Sequence, residues 1–274
     1  IYQTQKLTKH IKKIFKNENY PILIDQEGGK VSRLNKFLDT SIFSGEYFGE
    51  LFVKDKRKFN IYFDVYIKQI SYLLKLLGIN INTVPVLDVK RNFTNTVIGN
   101  RSYSKDPKIV SKIGNLCINN FHKHGIATVM KHIPGHGLAK YDSHKKLSTV
   151  KENIYKLNKY DFHPFKNQKS IMAMTAHIIF NTIDEKNAAT HSKKIIKLVR
   201  KIIGFNKIIM TDDISMKSLK YSTKENTKKA FIAGCNLILH CNANYNEMIK
   251  VAENSPLISS FILKKTSNLI NIVR

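Results

Sequence analysis

A chain of 274 residues with 42% hydrophobic side chains suits one large domain or two small ones, and it is too apolar to be disordered. Its 46 Lys and Arg against 20 Asp and Glu give a formal charge of +26. That balance suits nucleic acid or anionic surfaces, but the lysines fall in separate segments with neither an RNP-like aromatic signature nor zinc-finger spacing, so no nucleic-acid partner is expected. No stretch is long and apolar enough for a membrane span, the start has no signal-peptide core, and three scattered cysteines without a CxxC pair indicate reduced thiols in the cytoplasm.

The first strand expected is "PILID" (Pro21–Asp25). A helical pattern over Phe63–Leu77 leads to the strand "INTVPVLDV" (Ile81–Val89). Asp106-Pro107 starts a helix over Pro107–Lys123, since proline fits a first helical turn. Strands follow at "IATVM" (Ile126–Met130) and "IMAMTAH" (Ile171–His177), then a helix over Lys193–Ile203. The strand "KIIMTDD" (Lys207–Asp213), a helix over Lys224–Ala233 and the strand "NLILHC" (Asn236–Cys241) complete the series. Strands alternating with helices imply βαβ units and a parallel sheet. Six strands are legible where a closed barrel has about eight; one would precede Ile1 and one would be irregular. The alternative is an open doubly wound sheet.

The strand ends favour the barrel. They carry Asp25, Asp88, Lys131 with His132, His177, and Asp212 with Asp213. Buried charges are costly unless paired, whereas barrel active sites are assembled from strand C-termini. "DQEGGKVSRL" places Asp25 and Arg33 around a glycine turn whose spacing is wrong for a dinucleotide fingerprint. "IGNRSYSKDP" presents the planar fork of Arg101 before a helix. In "MKHIPGHGLAKYDSHKK", His132 and His136 are four apart. Pro134 and Gly135 prevent the helix that would face both imidazoles to one metal, so acid/base work by Asp142 and His144 is the alternative. In "MTDDISM", one of two adjacent carboxylates points into a site while the other braces the scaffold or caps a helix.

Taken in order, "DQEGGKVSRL", "PVLDV", "IGNRSYSKDP", "KHIPGHG" with "DSH", "TAH", "TDDISM" and "AGCNLILHCN" resemble the β-N-acetylglucosaminidases of glycoside hydrolase family 3. The resemblance covers residues 20–245. It implies a single-domain α/β chain, a (β/α)8 TIM-type barrel over residues 1–274 whose first strand would precede this chain. It also implies a cytoplasmic, monomeric enzyme without metal or cofactor. Its reaction would be retaining hydrolysis of terminal β-linked N-acetylglucosamine from 1,6-anhydro-N-acetylmuramic acid fragments in peptidoglycan recycling. By the motif match Asp212 is the nucleophile, His144 the acid/base and Asp142 its partner. Asp25, Arg33, Arg101, Lys131, His132 and His177 form the sugar-binding set. The sequence departs from the family at Thr175, where proline is usual, and at Asn236, where Asp is common. A phosphorylase and a catalytically inactive sugar-binding homologue are the competing readings.

Overall fold

Six of the apolar runs form one all-parallel sheet in the computed structural model, which describes residues 1–91, 98–139 and 147–273. The chain begins with helix α1 (Tyr2–Ile14), strand β1 (Leu23–Ile24), α2 (Gly45–Lys54), α3 (Lys56–Leu76) and β2 (Ile81–Asn82). It continues through α4 (Pro107–Lys123), β3 (Ala127–Ile133), β4 (Ser148–Val150), α5 (Ile154–Tyr160), β5 (Met172–Thr175) and β6 (Ile178–Phe180). The last elements are α6 (Lys193–Leu198), β7 (Ile208–Asp213), α7 (Thr223–Ala233), β8 (Leu237–Leu239), α8 (Tyr245–Glu253) and α9 (Ser260–Val273).

The sheet order is β1-β2-β3-β5-β7-β8, so each strand lies beside its neighbour in sequence and a helical crossover separates them. This is the curled parallel sheet of a TIM-type barrel, left open. Among the described residues β1 and β8 are its unpaired edges, and Leu23 of β1 is 38% exposed. β4 and β6 pair separately, in parallel, with Ser148 opposite Ile178.

Parity along the strands divides the core. Ile81, Ala127, Val129, Met172, Met174, Ile208 and Met210 fill the inside of the curl, where Leu269 of α9 joins them. Met130, Ala173 and Ile209 belong to the larger cluster shared with the helices. Strands buried on both faces explain why their sequences run apolar rather than alternating.

Helix α3 starts earlier than the pattern over Phe63–Leu77 indicates, because Asp55 caps it by accepting from the Lys58 N–H at 3.0 Å. Its buried stripe is Phe59, Phe63, Ile67, Ile70 and Leu74, spaced by three or four. Burying each such side chain stabilises by roughly 1.5–3 kcal/mol. α4 spans Pro107–Lys123, the range its cap and pattern indicate, with Asp106 accepting from the Lys108 N–H. The cores of α3 and α4 fix the outside of β2 and β3, and so the strand ends that carry polar groups.

Candidate active site

The C-terminal ends of the strands open on a cleft of about 730 Å³. Asp25, Arg33, Arg101, Lys131, His132 and Asp212 line it, joined by His136, Asp213, Thr83 and Cys241. Seven of the nine expected site residues lie in the described chain, and six of them meet here. Asp142 and His144 lie outside the described residues.

Asp25 directly follows β1 and sits beside Lys131 of β3, whose side chain is 2% exposed. Asp25 accepts from the Lys131 ammonium and, at 2.6 Å, from the Thr83 hydroxyl. Burial raises the Asp25 carboxyl, but Lys131, Thr83 and Arg101 outweigh it and hold it far below the usual carboxylate range. Glu27 completes the group. Its carboxylate lies 2.5 Å from the Lys131 ammonium and takes two hydrogen bonds from Arg101, at 2.8 and 2.7 Å. Burial opposes ionisation of Glu27, yet Lys131 and Arg101 keep it anionic. The same carboxylates raise Lys131 against its own burial penalty. Two cations and two anions thus share one corner, with Glu27, Arg101 and Lys131 nearly dry and Asp25 at its open edge, each compensating another.

The loop after β1 takes its shape from two residues. Gln26 accepts from the Arg33 and Leu34 N–H groups at 2.8 and 3.1 Å. Gly28 has φ of 97°, and a Cβ there would meet the Phe43 carbonyl at 2.4 Å. This fold-back brings Arg33 to the rim, where its guanidinium is 61% exposed and 3.7 Å from Asp25.

Asp212 is the second-last residue of β7, its side chain 21% exposed and 3.9 Å from the His132 ring Nε2. Burial raises the Asp212 carboxyl. His132, His177, the Asp213 N–H and Lys131 pull it the other way and hold it below its ordinary range. Asp213 accepts instead from the Ser215 N–H and hydroxyl and the Cys241 N–H, so it shapes the strand end. It does not cap a helix; Ser222 caps α7.

His177 is not a cleft-lining residue. It is 1% exposed, and its ring nitrogens meet the Thr190 hydroxyl at 2.7 Å and the Asp213 carbonyl at 3.0 Å. Burial first, outweighing nearby Asp212, lowers its pKa. That places it as a brace behind the Asp212–Asp213 strand end. Among the described residues, no three His, Cys, Asp or Glu side chains gather in a metal-binding arrangement. No helix of the described residues is long and apolar enough to cross a membrane.

Glu27, Thr83 and Asp88 take part although the motifs did not single them out as site residues. Glu27 had a readable signal: it follows Asp25 by two positions at a strand end, and such residues share a side.

Similar proteins carry this architecture. The chain is 33% identical over 236 residues to a β-hexosaminidase A of Pseudoalteromonas piscicida, covering 80% of this chain and 39% of that protein. It superposes on a glycoside hydrolase family 3 β-N-acetylglucosaminidase of a Paenibacillus strain with a TM-score of 0.79 and 28% identity, over 98% of this chain and 53% of that one. NagZ of Neisseria gonorrhoeae, in complex with N-trifluoroacetyl-D-glucosamine, matches with a TM-score of 0.85 and 25% identity, over 98% of this chain and 78% of its own. The chain therefore spans two fifths to about four fifths of these relatives' lengths. With residues 2–272 matching the glycosyl hydrolase family 3 N-terminal domain, the chain belongs to that family.

Proposed function

We propose that the chain is the catalytic barrel of a retaining β-N-acetylglucosaminidase acting on terminal β-linked N-acetylglucosamine. The observation that carries this reading is an ionised Asp212 at a strand end in the cleft, facing Asp25, Lys131, Arg101 and His132. Retention needs a carboxylate on one face of the anomeric carbon and a proton donor at the leaving oxygen. Asp212 attacks that carbon while the bond to the leaving oxygen breaks, and His144 delivers the proton that oxygen needs. A glycosyl ester on Asp212 results. His144, now neutral, takes a proton from water, whose oxygen attacks the same carbon and frees the carboxylate. Asp142 stabilises the imidazolium in the first half. Asp25 accepts from sugar hydroxyls, and Lys131 and Arg101 donate to them. The roles of Asp142 and His144 rest on the resemblance of "DSH" alone.

The finer substrate assignment is a fragment ending in 1,6-anhydro-N-acetylmuramic acid, handled in the cytoplasm during peptidoglycan recycling. It is supported by the likeness to NagZ and by a basic chain that favours ligands bearing carboxylates.

An aryl β-N-acetylglucosaminide tests the reaction, assayed with wild type, Asp212→Asn and His144→Ala, with chelator and with and without phosphate. Wild-type turnover unaffected by chelator, and a loss of roughly a thousandfold or more in Asp212→Asn, is expected. In His144→Ala a glycosyl adduct should accumulate in the intact mass. Sugar 1-phosphate as the product would mark a phosphorylase. An inert, folded wild type, or an active Asp212→Asn, would overturn the proposal.

A further inference from the structure

Asp88, from "PVLDV", is fully buried and is not assigned a role by the reaction above. It follows β2, and the chain around it is locked to β3: the Leu87 N–H donates to the Lys131 carbonyl at 2.7 Å and the Lys131 N–H to the Pro85 carbonyl at 3.0 Å. One carboxylate oxygen of Asp88 meets His132 Nδ1 at 2.6 Å. The other accepts from the His136 backbone N–H at 2.6 Å and the His132 N–H at 3.3 Å. Three contacts from one side chain bind two separate features. The first is the imidazole whose other nitrogen faces Asp212 at 3.9 Å. The second is the start of the segment that runs on into Asp142 and His144. The far end of that segment is held by the β4–β6 pairing.

We infer that Asp88 is a positioning residue that acts through His132, fixing its tautomer and its aim toward the nucleophile. A carboxylate can only accept, so His132 Nδ1 must carry the proton. Nε2 is then the nitrogen that faces the cleft and Asp212. Burial works against ionisation of Asp88, but His132 and His136 keep it below its ordinary range, so it stays an acceptor. The tautomer with a bare Nδ1 would set two acceptors against each other at 2.6 Å, and the ring would turn away from Asp88 and lose its aim at Asp212. Holding an imidazole in one tautomer by a buried carboxylate is a large effect in other hydrolases. The inference rests on Asp212 being the nucleophile.

Asp88→Asn isolates this contact. The amide oxygen still accepts from the His136 N–H, while its NH2 group confronts Nδ1–H and drives the proton to Nε2. With the aryl glycoside, kcat should fall on the order of a hundredfold, with KM changed less than about threefold. In a His132→Ala background the same substitution should cost little, because its route is already removed. Full kcat in Asp88→Asn, or an equal and additive loss in both backgrounds, would overturn the inference. Should the variant fail to fold, ring-nitrogen NMR of the wild type still decides: a His132 that carries a proton on Nδ1, whether or not Nε2 is also protonated, supports it, and a neutral ring protonated at Nε2 alone sinks it. Asp212→Asn in the same assay keeps the two claims apart. If that variant stays active the nucleophile assignment falls, whatever Asp88 does.

Discussion

Glu27 shows how a single residue ties binding to stability. Its carboxylate is the counterion for both Arg101 and Lys131, and all three are almost dry. Glu27→Gln keeps the shape and removes the charge. Two buried cations would then share Asp25 alone, and one of them would swing toward solvent. Breaking a buried pair on one side costs about 3–5 kcal/mol. A lower urea midpoint is expected, together with a KM for the aryl glycoside raised at least about tenfold if both cations donate to the sugar as proposed. An unchanged KM in the folded variant would show that Glu27 carries stability only. Asp25, Arg101 and Lys131 were legible in the sequence as polar groups at strand ends or before a helix. Glu27 carried the two-residue spacing from Asp25, but a glutamate beside two glycines also reads as an exposed turn, and that reading masked it.

At the scale of elements, the sequence was clearest where caps and apolar stripes coincide. α4 carries both an Asp106 cap and a buried stripe of Val110, Ile113, Cys117 and Phe121. The six strands of the sheet were visible as apolar runs, but their lengths were not. "INTVPVLDV" pairs as a strand only over Ile81–Asn82, because its polar end turns inward to Asp25, His132 and His136. "IMAMTAH" stops at Thr175 and the chain enters a second sheet at Ile178. Burial on every side makes that break invisible to periodicity. α9 was missed because exposed Phe261 and Leu263 flank its buried Ile262, blurring the stripe. A further element-level device lies where α5 ends. Asp161 packs beneath the glycine turn, so that a Cβ on Gly135 would meet its Cβ at 2.6 Å. Burial first, then Asp88, push the Asp161 carboxyl up to about 7, although Arg91 and the Gly137 and Leu138 N–H groups oppose this. A carboxyl raised on folding holds its proton more tightly in the native state. Its contribution to stability is full below the unfolded value and fades as pH rises through about 7. Between pH 5 and 8 this amounts to roughly 2–3 kcal/mol. Asp161→Asn removes the slope, so its stability relative to wild type should improve by about that amount on going from pH 5 to 8. Parallel denaturation curves would refute this.

Across the whole molecule, histidines set the opposite trend. His122, His136 and His191 are each lowered to about 4, and burial is the first cause in every case. Lys207 adds to it for His122, and His177 and Lys229 for His191. Asp88 works the other way on His136 without reversing it. Because these rings are neutral when folded and titrate near 6.5 when unfolded, their stability is present above that value. It is lost as pH falls through about 4. From pH 7 to 5 each ring withdraws roughly 2 kcal/mol, a sum comparable to the stability of many whole domains. Asp161 returns about as much as one ring over that interval, so the net change is still a loss. The formal charge of +26 deepens it, since every added proton increases self-repulsion. Urea midpoints at pH 7 and 5, at fixed ionic strength, should therefore fall on acidification, and raising the salt should recover only the repulsive share. Partly exposed His122 and His191 can be replaced without entering the cleft. His122→Gln and His191→Gln should each shrink the drop by roughly 1–2 kcal/mol, and the two gains should add. A midpoint that holds steady from pH 7 to 5 would mean that these rings are hydrated, and charged, in the folded protein.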